Sequence, residues 1–183
     1  MPHTSKLFMA VLGCRPGGRL IEQHDVFFGV ADAMAGLVPQ IKASWPDAGK
    51  IHIDSWREVT AVSGFSIEIK TEPANGELQL YFINMGGYKP DDPDEYHHKI
   101  LVVAPSMSDA VKQAKQTHFY KNAGFAGAVS HIDDKFGIEV DELYRVDQIL
   151  HGNPKHLHIT PNALATADVL HIGYLPLTKL RNV

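Results

Sequence analysis

Cys14 is the only cysteine in the chain, so no internal disulfide can staple the fold. Its place at the end of an apolar run reads as a small buried side chain and not as a nucleophile. Long apolar runs are missing too, and no stretch approaches the roughly 20 residues that span a bilayer. The start, Met1-Pro2-His3-Thr4-Ser5-Lys6, lacks the apolar segment and small-residue cleavage site of a secretory signal. A cytoplasmic protein without a membrane partner is therefore expected. There is no basic excess either: the formal net charge is -4, the sequence pI is near 6.2, and the Lys and Arg residues are scattered. Nucleic-acid binding calls for a concentrated basic footprint, so that partner is excluded. No serine elbow, catalytic Cys/His signature or dinucleotide fingerprint is present, and no metalloprotease, zinc-ribbon or calcium-loop signature. The run Gly13-Cys14-Arg15-Pro16-Gly17-Gly18 lacks the G-x-x-x-x-G-K-[ST] pattern of a phosphate loop. The cofactor, if there is one, is unknown from the sequence, and whether the protein is an enzyme stays open.

What is present says the same thing twice. Residues 7–54 begin Leu7-Phe8-Met9-Ala10-Val11-Leu12-Gly13 and pass through Arg15-Pro16, Glu22-Gln23-His24 and Val30-Ala31 to His52-Ile53-Asp54. Residues 80–133 run in the same order, from Leu80-Tyr81-Phe82-Ile83-Asn84-Met85-Gly86 through Lys89-Pro90, Glu95-Tyr96-His97 and Val103-Ala104 to His131-Ile132-Asp133. An internal repeat governs the architecture and is read before any single motif. The 183 residues, 44% of them hydrophobic, suffice for one body of two similar halves with a real core.

Each half reads as strand, strand, helix, strand, strand. The apolar runs ending at Gly13 and Gly86 predict central strands stopped where the chain turns. The stretches 25–31 and 98–104, apolar on both alternating faces, predict core strands. Met107, Ala110, Val111 and Ala114 share one helical face, with Ser106 or Ser108 as the cap. In the first half Met34, Leu37, Val38, Ile41 and Trp45 repeat this, but Pro39 requires a kink or a helix starting near Val38. Third strands over 50–55 and 129–134 and fourth strands over 64–69 and 143–146 complete the units. The expected fold is α+β, with tandem units related by a pseudo-two-fold, a mixed or antiparallel sheet and helices on one face. Its boundaries are residues 6–71 for the first copy, 72–78 for a linker, 79–150 for the second copy, and 151–183 for a strand-rich extension packed on the repeats.

The runs Glu22-Gln23-His24-Asp25-Val26-Phe27-Phe28-Gly29 and His52-Ile53-Asp54-Ser55-Trp56-Arg57-Glu58-Val59, together with Gly86-Gly87-Tyr88-Lys89-Pro90 and His131-Ile132-Asp133-Asp134-Lys135, resemble the bacterial domain of unknown function 1543 family. The resemblance implies a two-copy member of bacterial origin. It supplies no activity and no catalytic residue.

Four ionisable residues recur in each copy: Glu22, His24, His52 and Asp54, then Glu95, His97, His131 and Asp133. Alternate residues of a strand share a face, so His52 and Asp54 point the same way about 7 Å apart, as do His131 and Asp133. Imidazole with carboxylate suits a metal site or an acid–base pair, with His24, His52, Asp54, His97, His131 and Asp133 as the metal candidates. The structural alternative is that each histidine hydrogen-bonds a neighbour to fix a strand end. Arg15 and Lys89, in Gly/Pro loops after a strand, are candidates for an anionic ligand or solvated loop cations. His156 and His158 alternate on a strand, but among eleven histidines that spacing carries less weight. Two functions follow. One is a binding module that takes a small molecule or a protein partner in the groove and loops between copies, as a monomeric pseudo-dimer or a homo-oligomer. The other is a metal-dependent or histidine-based enzyme using the repeated Glu/His/His/Asp set.

Overall fold

The computed structural model describes residues 5–89, 91–122, 124–125, 128–129, 131–132, 142–150 and 156–182. In chain order its elements are β1 (Lys6–Cys14), β2 (Gln23–Ala31), α1 (Val38–Ser44), β3 (His52–Glu58), β4 (Ala61–Val62), β5 (Phe65–Lys70), β6 (Gln79–Tyr88), β7 (Glu95–Ala104), α2 (Met107–Ala114), α3 (His118–Asn122), β8 (Gly124–Phe125), β9 (Ala128–Val129), β10 (His131–Ile132), β11 (Glu142–Arg145), α4 (Val146–Ile149), β12 (His156–Pro161) and β13 (His171–Pro176). Short 3-10 turns cover Met34–Leu37 and Leu177–Asn182. The fold is α+β, and every strand pairing among the described residues is antiparallel. No helix among them is long and apolar enough to cross a membrane. The chain divides into two units, Met1–Ala74 with Ile149–Val183, and Asn75–Gln148.

Unit 1 is organised by the alternation of β1. Phe8, Ala10 and Leu12 face one side, where they pack with Phe27, Ile53 and the apolar face of the helical segment, Met34, Leu37 and Ile41, closed by Leu180. Pro39 stands in the first turn of α1, where its missing N–H costs nothing. The expected start near Val38 is thus met, and a 3-10 turn takes the residues before it. The sheet order is β13-β3-β1-β2. β1 is central as expected, but β2, read as a core strand, lies at the edge among the described strands. Its two apolar faces are still used: Phe27 enters the helix-side core, and Phe28 is buried on the opposite face beside Met9. β5 does not continue this sheet. It joins β4 and β12 in a second one, so residues 156–161 and 171–176 are sheet members of unit 1.

Unit 2 is built on β6, paired along its whole length with β7 on one edge. On the other edge β10 covers only Met85 and Gly86, which leaves Tyr81 to Asn84 for β11. The expected third and fourth strands therefore share one edge of β6. Tyr81, Ile83 and Met85 pack with Val102, Ala104 and Ala110 and Ala114 of α2. Ser106 caps α2, its Oγ accepting from the Asp109 N–H at 3.2 Å. α3 has no counterpart in the sequence reading.

Candidate functional site

The β1–β2 and β1–β3 ladders place Gly13 opposite His24 on one side and His52 on the other. All three lie on the sheet face away from the helix, at the end where β1 runs out. Between Leu12, which faces Ile53, and Val11, which faces Ser55, the register slips, and Asp54 is the extra residue on β3. A bulge re-aims the side chain it carries. Here the Asp54 carboxylate comes over Gly13: a Cβ built on Gly13 would stand 2.4 Å from His52 Nε2 and 2.9 Å from Asp54 Oδ2. Only glycine fits beneath them.

The four recurrent ionisable side chains of the first half come together. Asp54 holds Oδ1 at 3.2 Å from His52 Nε2 and Oδ2 at 3.2 Å from His24 Nε2. Glu22, just before β2, completes the ring, with Oε1 at 3.5 Å from His52 Nε2 and Oε2 at 3.6 Å from His24 Nε2. His52 is sequestered, its side chain 5% exposed, whereas Glu22 and His24 are nearly half exposed and Asp54 about a third, at 46%, 48% and 33%. The cluster has a fixed floor and an open side. Asp54 Oδ2 is buried and accepts no hydrogen bond despite its nearness to His24.

Tyr174 was not among the expected residues. The register of β13 on β3 slips between Ile172 and Leu175, Gly173 adopts φ 139°, and the Tyr174 ring lies against His52 with centroids 4.3 Å apart and planes tilted by 32°. No spacing in the sequence links positions 52 and 174; only the pairing of β13 with β3 does. Gly13 did carry a signal, since the matching apolar runs both stop at glycine.

The other candidates have local employment. Arg15 donates from Nη2 to the Leu20 carbonyl at 3.1 Å and from Nε to the Arg19 carbonyl at 3.5 Å, bracing its own turn. Lys89 Nζ lies 3.8 Å from the centre of the Tyr96 ring. His158 Nε2 bonds the Glu72 carbonyl at 2.9 Å, the structural role that histidines in strands commonly fill. In unit 2, His97 and His131 both lie opposite Gly86 on β6, and the Asn84 amide donates to His97 Nδ1 at 3.0 Å. Glu95 opens β7 opposite Tyr88. The side chain of His131 and the whole of Asp133 fall outside the described residues. Cys14 is fully buried, and burial, with the charge of Glu22 adding to it, holds its thiol above the ordinary range.

Against known proteins, residues 19–69 match the model of a family described as Domain of Unknown Function (DUF1543). That span holds Glu22, His24, His52 and Asp54. No curated protein matches the chain. The fold is similar to the crystal structure of a protein Il1583 from Idiomarina loihiensis, with a TM-score of 0.66 and 25% identity over 94% of this chain and 98% of that one.

Proposed function

We propose that the protein is a ligand-binding module whose binding centre in unit 1 is the cluster of Glu22, His24, His52 and Asp54 over Gly13. One observation carries the reading: two carboxylates approach the same pair of imidazole nitrogens at 3.2 to 3.6 Å, on an open side of the sheet. Carboxylates gathered together repel, and holding them there contributes little to folding unless a partner offsets the charge. A small polar ligand offering positive charge or hydrogen-bond donors would do so. The expected groove between copies forms no part of this reading.

The backbone frame of unit 2 supports a second copy of the unit. Gly86 lies opposite both His97 and His131, as Gly13 lies opposite both His24 and His52. On this reading Glu95, His97, His131 and Asp133 correspond to the unit 1 set, residues 6–71 and 79–150 are the two copies, and the protein is bacterial and cytoplasmic. The enzyme alternative has one observation of its own. His24 is half exposed with Asp54 at 3.2 Å from Nε2, a carboxylate–imidazole pairing suited to general acid–base chemistry.

Imidazole resonances followed by NMR against a panel of polar and cationic small molecules test the proposal. The expected result is that ligand-dependent shifts concentrate on His24 and His52 and are lost in Glu22→Gln. If no ligand moves either histidine, and His24→Ala changes nothing but stability, the cluster is a structural knot and the proposal falls.

A further inference from the structure

Resting on the binding-centre reading above, we infer that the ligand of the Glu22, His24, His52 and Asp54 cluster is a single divalent transition-metal ion of the zinc type, bound through the two Nε2 atoms and one oxygen of each carboxylate.

Two imidazoles and two carboxylates meet here, each Nε2 reaching a different oxygen of each carboxylate: His52 at 3.2 Å from Asp54 Oδ1 and 3.5 Å from Glu22 Oε1, His24 at 3.2 Å from Asp54 Oδ2 and 3.6 Å from Glu22 Oε2. A tetrahedral ion with ligand bonds of about 2.0 to 2.2 Å holds its donors about 3.3 to 3.6 Å apart, so side chains already this close need rotation, not backbone movement, to bring one oxygen of each carboxylate and both Nε2 atoms around one centre. Hydrogen bonding accounts for these contacts less well. Asp54 Oδ2 is buried with its neighbour at 3.2 Å and still accepts no hydrogen bond, a cost that coordination would remove. The charge also balances, since two carboxylates with two neutral imidazoles offset a divalent ion. An N2O2 donor set suits zinc and its first-row neighbours better than magnesium or calcium, which favour all-oxygen shells.

Preorganisation is uneven. His52 is 5% exposed, set under the Tyr174 ring with its Nε2 directed into the cluster, and Gly13 keeps the floor clear. Among the described residues, as their side chains stand, no group of three or more His, Cys, Asp or Glu is placed to hold a metal ion. The half-exposed pair, Glu22 and His24, must therefore turn to close around it, and closure is coupled to binding. The open side leaves room for an added water or substrate group on the ion.

The experiment uses the full chain, stripped with chelator and titrated with Zn2+ by calorimetry and with Co2+ by visible absorption. The expected result is a metal equivalent that raises the thermal midpoint and gives with Co2+ the intense bands of four-coordinate geometry. That equivalent weakens at least about tenfold in Glu22→Gln and in His24→Gln, both at half-exposed positions, and is unchanged in His158→Gln. An equivalent insensitive to Glu22→Gln and His24→Gln, or six-coordinate Co2+ spectra alone, overturns the inference. If neither metal binds while polar organic ligands still shift His24 and His52, the metal is wrong and the binding centre stands. If nothing shifts them, both readings fall.

Discussion

Gly13 and His52 stand opposite each other on the β1–β3 ladder, and the His52 imidazole fills the space into which any side chain at position 13 would project. Gly13→Ala should therefore expel His52 from its place, at an overpacking cost of about 1 to 3 kcal/mol. It should also abolish ligand-dependent shifts of His24. Gly17→Ala is the control, because a Cβ there meets nothing within 4 Å. Chemical denaturation of the two variants checks this, and equal midpoints would contradict the placement of His52.

Phe28 and Leu101 are buried at matching rungs, opposite Met9 on β1 and Phe82 on β6. Truncation to alanine is expected to cost about 3 to 5 kcal/mol for Phe28 and about 2 to 5 for Leu101. An unchanged unfolding midpoint in either variant would show that residue to lie outside the core.

Ser106→Ala should destabilise unit 2 by about 0.5 to 2 kcal/mol through loss of the α2 cap. The Ser106 hydroxyl, with Lys112 beside it, also holds the Asp109 carboxyl below its ordinary range. A carboxyl depressed in the folded state contributes stability above its unfolded pKa, about 3.9, and that contribution is lost as pH falls through the lower folded value. Thermal midpoints of wild type and Ser106→Ala should accordingly draw together below about pH 4. A constant gap down to strongly acidic pH would show that Asp109 contributes nothing.

Cys14 is 0% exposed, so a thiol reagent at mildly alkaline pH should modify it only as the protein unfolds. Burial disfavours the thiolate as well as blocking access. Stoichiometric labelling of the native protein within minutes would refute this.

Where the chemistry was local, it was legible from residues alone. His52 and Asp54 share a face by strand alternation, and the repeated acidic residue two places before a histidine brought Glu22 and His24 to the same place. What alternation does not reveal is the bulge that makes Asp54 the extra residue, since a slip of register leaves no mark in hydrophobic periodicity. Arg15, read either as an anion-site candidate or as a solvated loop cation, is met by two carbonyls of its own turn. Strand pairing at long range was hidden for the same reason as Tyr174. β5 and β12 lie far apart in sequence, and only the fold makes them neighbours.

The slipped rung at Asp54 has a parallel in unit 2. There Ile132 pairs with Met85 and Glu142 with the adjacent Asn84, and residues 133–141 come between them in the chain. Among the described residues of both units, then, the pairing beside the central strand breaks its register after the isoleucine rung that follows the histidine. Such a joint tolerates added length, because the ladder closes on either side of it and the apolar rungs keep their partners. In unit 1 the splice admits one residue, the shortest tether available, and its carboxylate is confined above Gly13. Lengthening that splice would leave the sheet intact while untethering Asp54, so chain length at a single rung sets whether the second carboxylate is presented at all.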